Sequence, residues 1–303
     1  MNEIAYHIPA LLSESLDGLN IRPQGTYVDA TFGGGGHSRA IVERLAPEGH
    51  LYSFDQDDQA VARAFSDPRF TIVYSNFRFL GNFLRYYGVD AADGILADLG
   101  VSFHHFDDSE RGFSFRFDGA LDMRMNRHAS RSAATVLAES STEELIRIFR
   151  LYGEFKQAPR LAKAIVAERE AGRPVDTVAR LLEVARPTIN PRQEKKELAM
   201  IFQALRIEVN GELKALEQFL AQTLKVLRPG GRLAIITYHS LEDRLVKNFM
   251  KSGNIAGEVA TDFFGRRDVP FKLLTSKPIV PSDAEIEANP RSRSAKLRVA
   301  ERI

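Results

Sequence analysis

Four consecutive glycines, Gly33 to Gly36, interrupt the chain between an apolar run and a stretch of helical spacing. Tyr27, Val28, Ala30 and Phe32 predict a buried strand before them. Ser38 onward, with Ala40, Ile41, Leu45 and Ala46, predicts a helix that stops at Pro47 and Gly49. Glycine in such a turn allows positive φ and a close approach of ligand to backbone, and the helix that follows offers unpaired N–H groups to an anion. A strand, a glycine turn and a helix in that order place a ligand site at the carboxyl edge of a sheet.

Spacing narrows the ligand. A dinucleotide fingerprint needs a third Gly or Ala, but Gly33 and Gly35 lead to Ser38, and Gly34 and Gly36 lead to Arg39. A P-loop needs Gly-Lys-Ser/Thr, and no lysine precedes Lys156. Asp55 closes the apolar run from Leu51 at about the 20-residue offset at which an acid meets ribose hydroxyls. A ligand with a carboxylate for the helix end and a ribose for Asp55 is expected, and S-adenosylmethionine has both.

The rhythm continues through a helix from Asp58 to Ser66, a strand from Arg69 to Phe77, a helix from Phe79 to Tyr87 and a strand from Gly94 to Gly100. This alternation predicts an α/β fold, a doubly wound parallel sheet with Asn76, Phe77 and Asp98 at its ligand edge. The next clear strand, Arg232 to Tyr238, comes about 130 residues later, far more than one crossover needs. An inserted helical domain over 106–194 is expected, with 1–105 and 195–303 forming the sheet domain. Ser141 and Glu144 make a capping box, and further helices are expected from Pro159 to Ala171 and from Asp176 to Ala185. Leu198, Ile201, Phe202, Leu205 and Val209 share the face of a helix expected to return the chain to the sheet. His239 ends the late strand, Ser240 is expected to cap the next helix, and Phe271–Leu274 with Leu297–Val299 form an antiparallel edge. Arg291, Arg293, Lys296, Arg298 and Arg302 stand against Glu301 alone, a basic run expected to be anchored and to touch phosphates.

Composition sets the outer limits. A chain of 303 residues, 44% hydrophobic and 27% charged, can bury a full core. The absence of cysteine removes disulfides, thiolate metal sites and a cysteine nucleophile. No apolar run nears the ~20 residues of a spanning helix and no basic segment leads an apolar one, so a cytoplasmic protein without membrane contact is expected. With a net charge of +1, a polyanionic partner must be held by local patches. No metal is expected: His104 and His105 with Asp107 and Asp108 read as a polar loop, because adjacent residues rarely ligate one ion. His7 reads as structural.

Six motifs carry a resemblance: Asp29 to Ser38, Asp98-Leu-Gly-Val-Ser102, Glu110 to Phe115, Leu121 to Met125, Tyr238 to Arg244, and Asn289 to Ser294. Together they resemble the bacterial 16S ribosomal RNA cytosine-N4 methyltransferases. The resemblance implies a class I methyltransferase with an inserted helical domain. It also implies transfer from S-adenosylmethionine to a cytidine of the decoding region, in the 16S rRNA of the small ribosomal subunit. It places cofactor contacts on Gly35, Gly36, His37, Asp55, Phe77, Asp98 and His105, beside Gly33 of the turn. His105 is a departure, standing where the family commonly has glutamine, and Gly34 stands where arginine is frequent.

The chemistry asks for more than cofactor binding. The N4 lone pair of cytosine is delocalised into the ring, so the amine needs orientation and a hydrogen-bond acceptor. Asp98 or the Leu99 carbonyl is the expected acceptor, Asp98 serving as cofactor contact or as amine acceptor, with Tyr238 and His239 as candidates for a second. Phe103, Phe106, Phe113, Phe115 and Phe117, interleaved with Arg111, Arg116 and Arg124, read equally as core or as a platform for a flipped base. Two other classes stay open, a doubly wound dehydrogenase and a non-catalytic RNA-binding protein on a decayed cofactor fold. Binding of NAD, of S-adenosylmethionine, or of RNA alone separates the three.

Overall fold

A computed structural model describes residues 9–100, 108–261 and 267–303. The chain divides into two compact units, Met1–Gly100 with Leu213–Ile303, and Val101–Glu212.

The first unit is built on a seven-stranded sheet in the order β3-β2-β1-β4-β5-β9-β8. Its strands are β1 (Thr26–Asp29), β2 (His50–Asp55), β3 (Phe70–Tyr74), β4 (Ala92–Asp98), β5 (Leu227–Thr237), β8 (Phe271–Leu273) and β9 (Lys296–Arg302); β6 (Ala260–Thr261) and β7 (Arg267–Asp268) pair separately. From β3 to β5 all neighbours are parallel, and β9 runs antiparallel between β5 and β8. This is the expected α/β doubly wound sheet with the expected antiparallel edge. Its order turns back between β1 and β4, and at such a reversal the crossovers leave on opposite faces and open a crevice beyond the strand ends. The glycine turn follows β1, and Asp98 ends β4, so both border that crevice.

Burial on both faces explains the unbroken apolar strands. Val28, Phe54 and Ile95 join Leu216, Phe219 and Leu220 in one core. From the same strands, Tyr27, Leu51 and Leu96 join Leu11, Leu16, Leu19, Leu297 and Val299 in the other. Successive residues enter opposite cores because strand side chains alternate. Among the described residues, no helix is long and apolar enough to cross a membrane.

Among its described residues the second unit is helical apart from one bridge between Ala120 and Thr177. Helices Ala133–Glu139, Thr142–Leu151, Ala158–Glu170, Val178–Ala185 and Glu194–Asn210 enclose their own core. The Ser141 hydroxyl accepts from Glu144 N at 3.2 Å while the Glu144 carboxylate accepts from Ser141 N at 2.8 Å, the expected capping box. Helix Glu194–Asn210, read from the sequence as part of the sheet domain, buries Leu198, Ile201, Phe202 and Leu205 in the helical core instead. Its last residue, Asn210, accepts from Met125 N at 2.8 Å and donates to the Met123 carbonyl at 2.8 Å.

The aromatic run divides: Phe117 and Arg116 are exposed, while others of the run pack inward. Phe113 is buried and Phe115 meets Phe202 edge-on at 5.5 Å. Arg111 is buried, donating to the carbonyls of Arg124 at 2.8 Å and Met125 at 3.2 Å, and Arg124 pairs with Asp122 at 2.7 Å. Those two guanidiniums are spent on holding the chain. Phe103, His104, His105 and Phe106 lie outside the described residues.

Candidate active site

Beyond β1 the chain is pinned from inside. Asp29 is fully buried; its Oδ2 accepts from the Ser38 hydroxyl at 2.6 Å, its Oδ1 from Thr31 N at 3.1 Å, and Ser38 meets Ser53 of β2 at 2.8 Å. Burial pushes the Asp29 carboxyl up to about 7 against the pull of those two donors. One carboxylate thus ties strand, turn and helix together. The glycines divide the remaining work. Gly33 and Gly35 have φ of 53° and 76°, the left-handed region that favours glycine. A Cβ on Gly35 would lie 2.8 Å from the Phe32 ring, and one on Gly36 would lie 2.4 Å from Pro9. At Gly33 and Gly34 it would meet nothing within 4 Å among the described residues, so there the described chain crowds the turn on its core side alone.

Asp55 reaches across to that turn. Its Oδ2 accepts from Gly33 N at 2.8 Å and its Oδ1 from Asp57 N at 2.9 Å. The acid predicted to hold a ribose therefore also holds the glycine backbone. Phe77 opens a short 3-10 helix, Phe77–Phe79, after β3 and packs edge-on against Phe219 at 5.2 Å.

At the end of β4, the Asp98 N–H donates to Thr31 Oγ1 at 2.7 Å, which fixes the backbone. Asp98 Oδ1 accepts from the Tyr238 hydroxyl at 2.9 Å, and Oδ2 lies 3.8 Å from His37 Nδ1. Burial pushes the Asp98 carboxyl up to about 7; the Tyr238 hydrogen bond opposes the rise, and the charges of Asp29 and Glu242 add to it. His37, at 5% exposure, is held down to about 4 by burial against the pull of the Ala10 carbonyl, so it faces Asp98 as a neutral ring at pH 7. The Tyr238 hydroxyl is itself raised far above the usual phenol range, by burial first and by Asp98 next.

The β5 end differs from expectation at one residue. The helix Ser240–Ser252 is capped by His239, not Ser240: His239 Nδ1 accepts from Glu242 N at 3.4 Å. His239 Nε2 lies 3.2 Å from Glu242 Oε1 without hydrogen-bond geometry. Buried Glu242 also accepts from Tyr238 N at 3.0 Å through Oε2. Glu242 thereby fixes both Tyr238 and His239.

Sequence reasoning gave no role to Asp29, Thr31, Ser38 or Glu242. Glu242 had a legible signal, lying three residues beyond a strand-end His at capping-box spacing. The basic run is also reassigned in part: Arg298 is nine-tenths buried, its Nε 2.7 Å and its second nitrogen 3.2 Å from the Asp243 carboxylate, so it is not available to a phosphate.

The strand ends thus place the Gly33–Asp55 hydrogen bond and the Asp98–Tyr238 hydrogen bond at one edge of the sheet, with Gly35 and Gly36 in the same turn as Gly33 and His37 Nδ1 3.8 Å from Asp98. His105 lies outside the described residues. A sequence model of the MraW methylase family matches residues 4–303. "Ribosomal RNA small subunit methyltransferase H" of Bacteroides thetaiotaomicron is 59% identical over 301 residues, 99% of this chain and 99% of that protein. The protein of the same name from Phocaeicola vulgatus is 60% identical over 297 residues, 98% and 97% of the two chains. Among solved structures, an rRNA methylase from Streptococcus thermophilus covers 98% of this chain and 99% of its own, with a TM-score of 0.43 at 12% identity, too low a likeness to add weight.

Proposed function

The chain belongs to the MraW methylase family, and from that premise we propose that it transfers a methyl group from S-adenosylmethionine to the exocyclic N4 of a cytidine in the decoding region of 16S rRNA. The observation that carries the reading is the Asp98 carboxyl, raised to about 7 and held by the Tyr238 hydroxyl at 2.9 Å at the rim of the crevice. A general base works best when its pKa lies near the operating pH.

The residues fit the cofactor. At Gly33 and Gly34 no described side chain lies where a ligand would approach the backbone. Gly35, Gly36 and His37 would line the methionine end, Asp55 would hold the ribose hydroxyls, and Phe77 would border the base. Bound there, S-adenosylmethionine supplies an electrophilic methyl on its sulfonium.

The chain's own groups do the rest. Asp98, as carboxylate, accepts a hydrogen bond from the N4 amine and favours a pyramidal, more nucleophilic nitrogen. When the N4–methyl bond has formed, Asp98 takes the proton the nitrogen sheds. Tyr238 holds that carboxylate in place and keeps a larger share of it ionised, while His239 and Glu242 position Tyr238. The helical unit, in this reading, engages the small ribosomal subunit, and the protein works in the cytoplasm without metal or membrane.

Nucleoside mass spectrometry of 16S rRNA tests the proposal. Cells lacking the protein should lack N4-methylated cytidine in the decoding region, wild-type protein should restore it, and Asp98→Ala should not. An unchanged nucleoside profile in the deletion strain would end the proposal.

A further inference from the structure

The helix that begins at His239 carries a second surface at its other end. A cavity of about 250 Å³ opens between this helix and the segment from β8 to β9. Met250, Leu273 and Val299 give it an apolar floor, and Lys247 and Lys251 stand at its side. The two lysines are one helical turn apart and share a face. Both are exposed, and neither has a carboxylate partner among the described residues.

The surrounding charges are already spent. Arg298, which also lines the cavity, is bound to Asp243 through two hydrogen bonds, so that pair adds no net charge. Two hydroxyls complete the wall. Thr275 Oγ1 accepts from Val299 N at 3.3 Å and keeps its own proton to donate, and Ser276 is exposed. A lysine in the last turn of a helix commonly serves the helix dipole, which accounts for Lys251. It does not account for Lys247 a turn earlier, facing the same cavity above an apolar floor.

An apolar floor beneath two unpaired cations is the chemistry of a nucleotide, a base to cover and phosphates to neutralise. We propose that this cavity is a subsite for one unstacked nucleotide of the RNA substrate, its base against Met250, Leu273 and Val299 and its flanking phosphates on Lys247 and Lys251. The inference rests on the RNA reading above and gives it a path. Lys247 and Lys251 lie about 12 and 18 Å along the helix axis from His239, at 1.5 Å per residue. A strand whose target base reaches Asp98 need extend only a few nucleotides to be held here.

The test uses the full chain with Lys247→Ala and Lys251→Ala combined, and with Lys247→Arg and Lys251→Arg combined. Salt titration of binding to a single-stranded fragment of small-subunit rRNA should show the log–log slope flattened by about 1.4 in the alanine pair, at ~0.7 per lost phosphate contact. The arginine pair should keep the wild-type slope. With small subunits as substrate, KM should rise about tenfold in the alanine pair while kcat holds, the mark of lost uniform binding. A wild-type slope and KM in the alanine pair would overturn the subsite and leave the methyltransferase reading standing. Loss of cytidine monophosphate binding with an unchanged RNA slope would overturn it in favour of a free nucleotide. A wild-type protein that binds no rRNA would overturn the RNA reading itself.

Discussion

Tyr238→Phe isolates the hydrogen bond on which the proposed base depends. The substitution removes one oxygen, keeps the ring, and deletes the donor 2.9 Å from Asp98 Oδ1. That donor lowers a carboxyl which burial has raised to about 7, so its loss must raise it further. A hydrogen bond to a charged group contributes roughly 1.5–3 kcal/mol, and 1.36 kcal/mol is one pKa unit, so the full effect would be about one to two units. The Asp98 side chain is 21% exposed, which lets water replace part of the lost bond and favours the lower end, about one unit. At pH 7 the ionised fraction then falls from about a half to about a tenth, a loss of roughly fivefold in rate that vanishes by pH 9. Single-turnover methyl transfer to small subunits from pH 5.5 to 9.5, at saturating cofactor, reads this directly. An acid limb that stays in place while the rate drops at every pH would refute the argument, as would a limb that moves down.

The remaining predictions concern the turn and the buried acids. Gly35→Ala, forced into φ 76° with its Cβ 2.8 Å from Phe32, should cost about 1–3 kcal/mol in urea unfolding. Gly34→Ala should leave the urea midpoint alone and weaken only S-adenosylmethionine binding; equal midpoints for both variants would contradict the geometry. Asp55→Ala should lower cofactor affinity by roughly 1.5–3 kcal/mol and also lower the melting midpoint, since Asp55 holds the N–H groups of Gly33 and Asp57. A calorimetric titration with wild-type affinity would remove Asp55 from the site. Asp29 keeps its proton up to about 7 in the folded chain but sheds it near 3.9 when unfolded, so between those values rising pH costs stability through this group. Relative to wild type, Asp29→Asn should therefore gain about 2–3 kcal/mol between pH 5 and pH 8; a difference independent of pH would show that Asp29 is not protonated in the fold.

Local signals were legible where one segment settles its own structure. The glycine cluster, the apolar run before it and the acid closing the next strand need no distant partner to be recognised, and the structure joins them through Asp55 and Gly33. The Ser141 capping box is equally local. What escaped depends on residues far apart in the chain. Leu198, Ile201, Phe202 and Leu205 announce a helix face but not which of two cores will take it. Arg298 reads as a cation in a basic run until β9 brings it beside Asp243. Asp29 sits in a recognisable motif, yet its task follows from burial, which sequence does not display. The cap at His239 was missed by one residue, because Ser240 is the commoner capping type and the choice turns on the buried Glu242.

Asn210 has a consequence for how quickly the sheet can form. Strands β4 and β5 are neighbours, yet about 130 residues of chain must be looped out before they can meet, and closure entropy grows with the logarithm of that length. Because the Asn210 side chain grips Met123 and Met125, the helical unit, once folded, fastens the far end of the loop near its beginning. The length still searching at random shrinks to about 40 residues, fewer than two doublings below the original, which lowers the entropic barrier to pairing by about 1 kcal/mol. If the helical unit forms first it hands a shortened loop to the sheet, and an Asn210→Ala chain is then expected to refold more slowly in stopped-flow than its loss of stability alone requires.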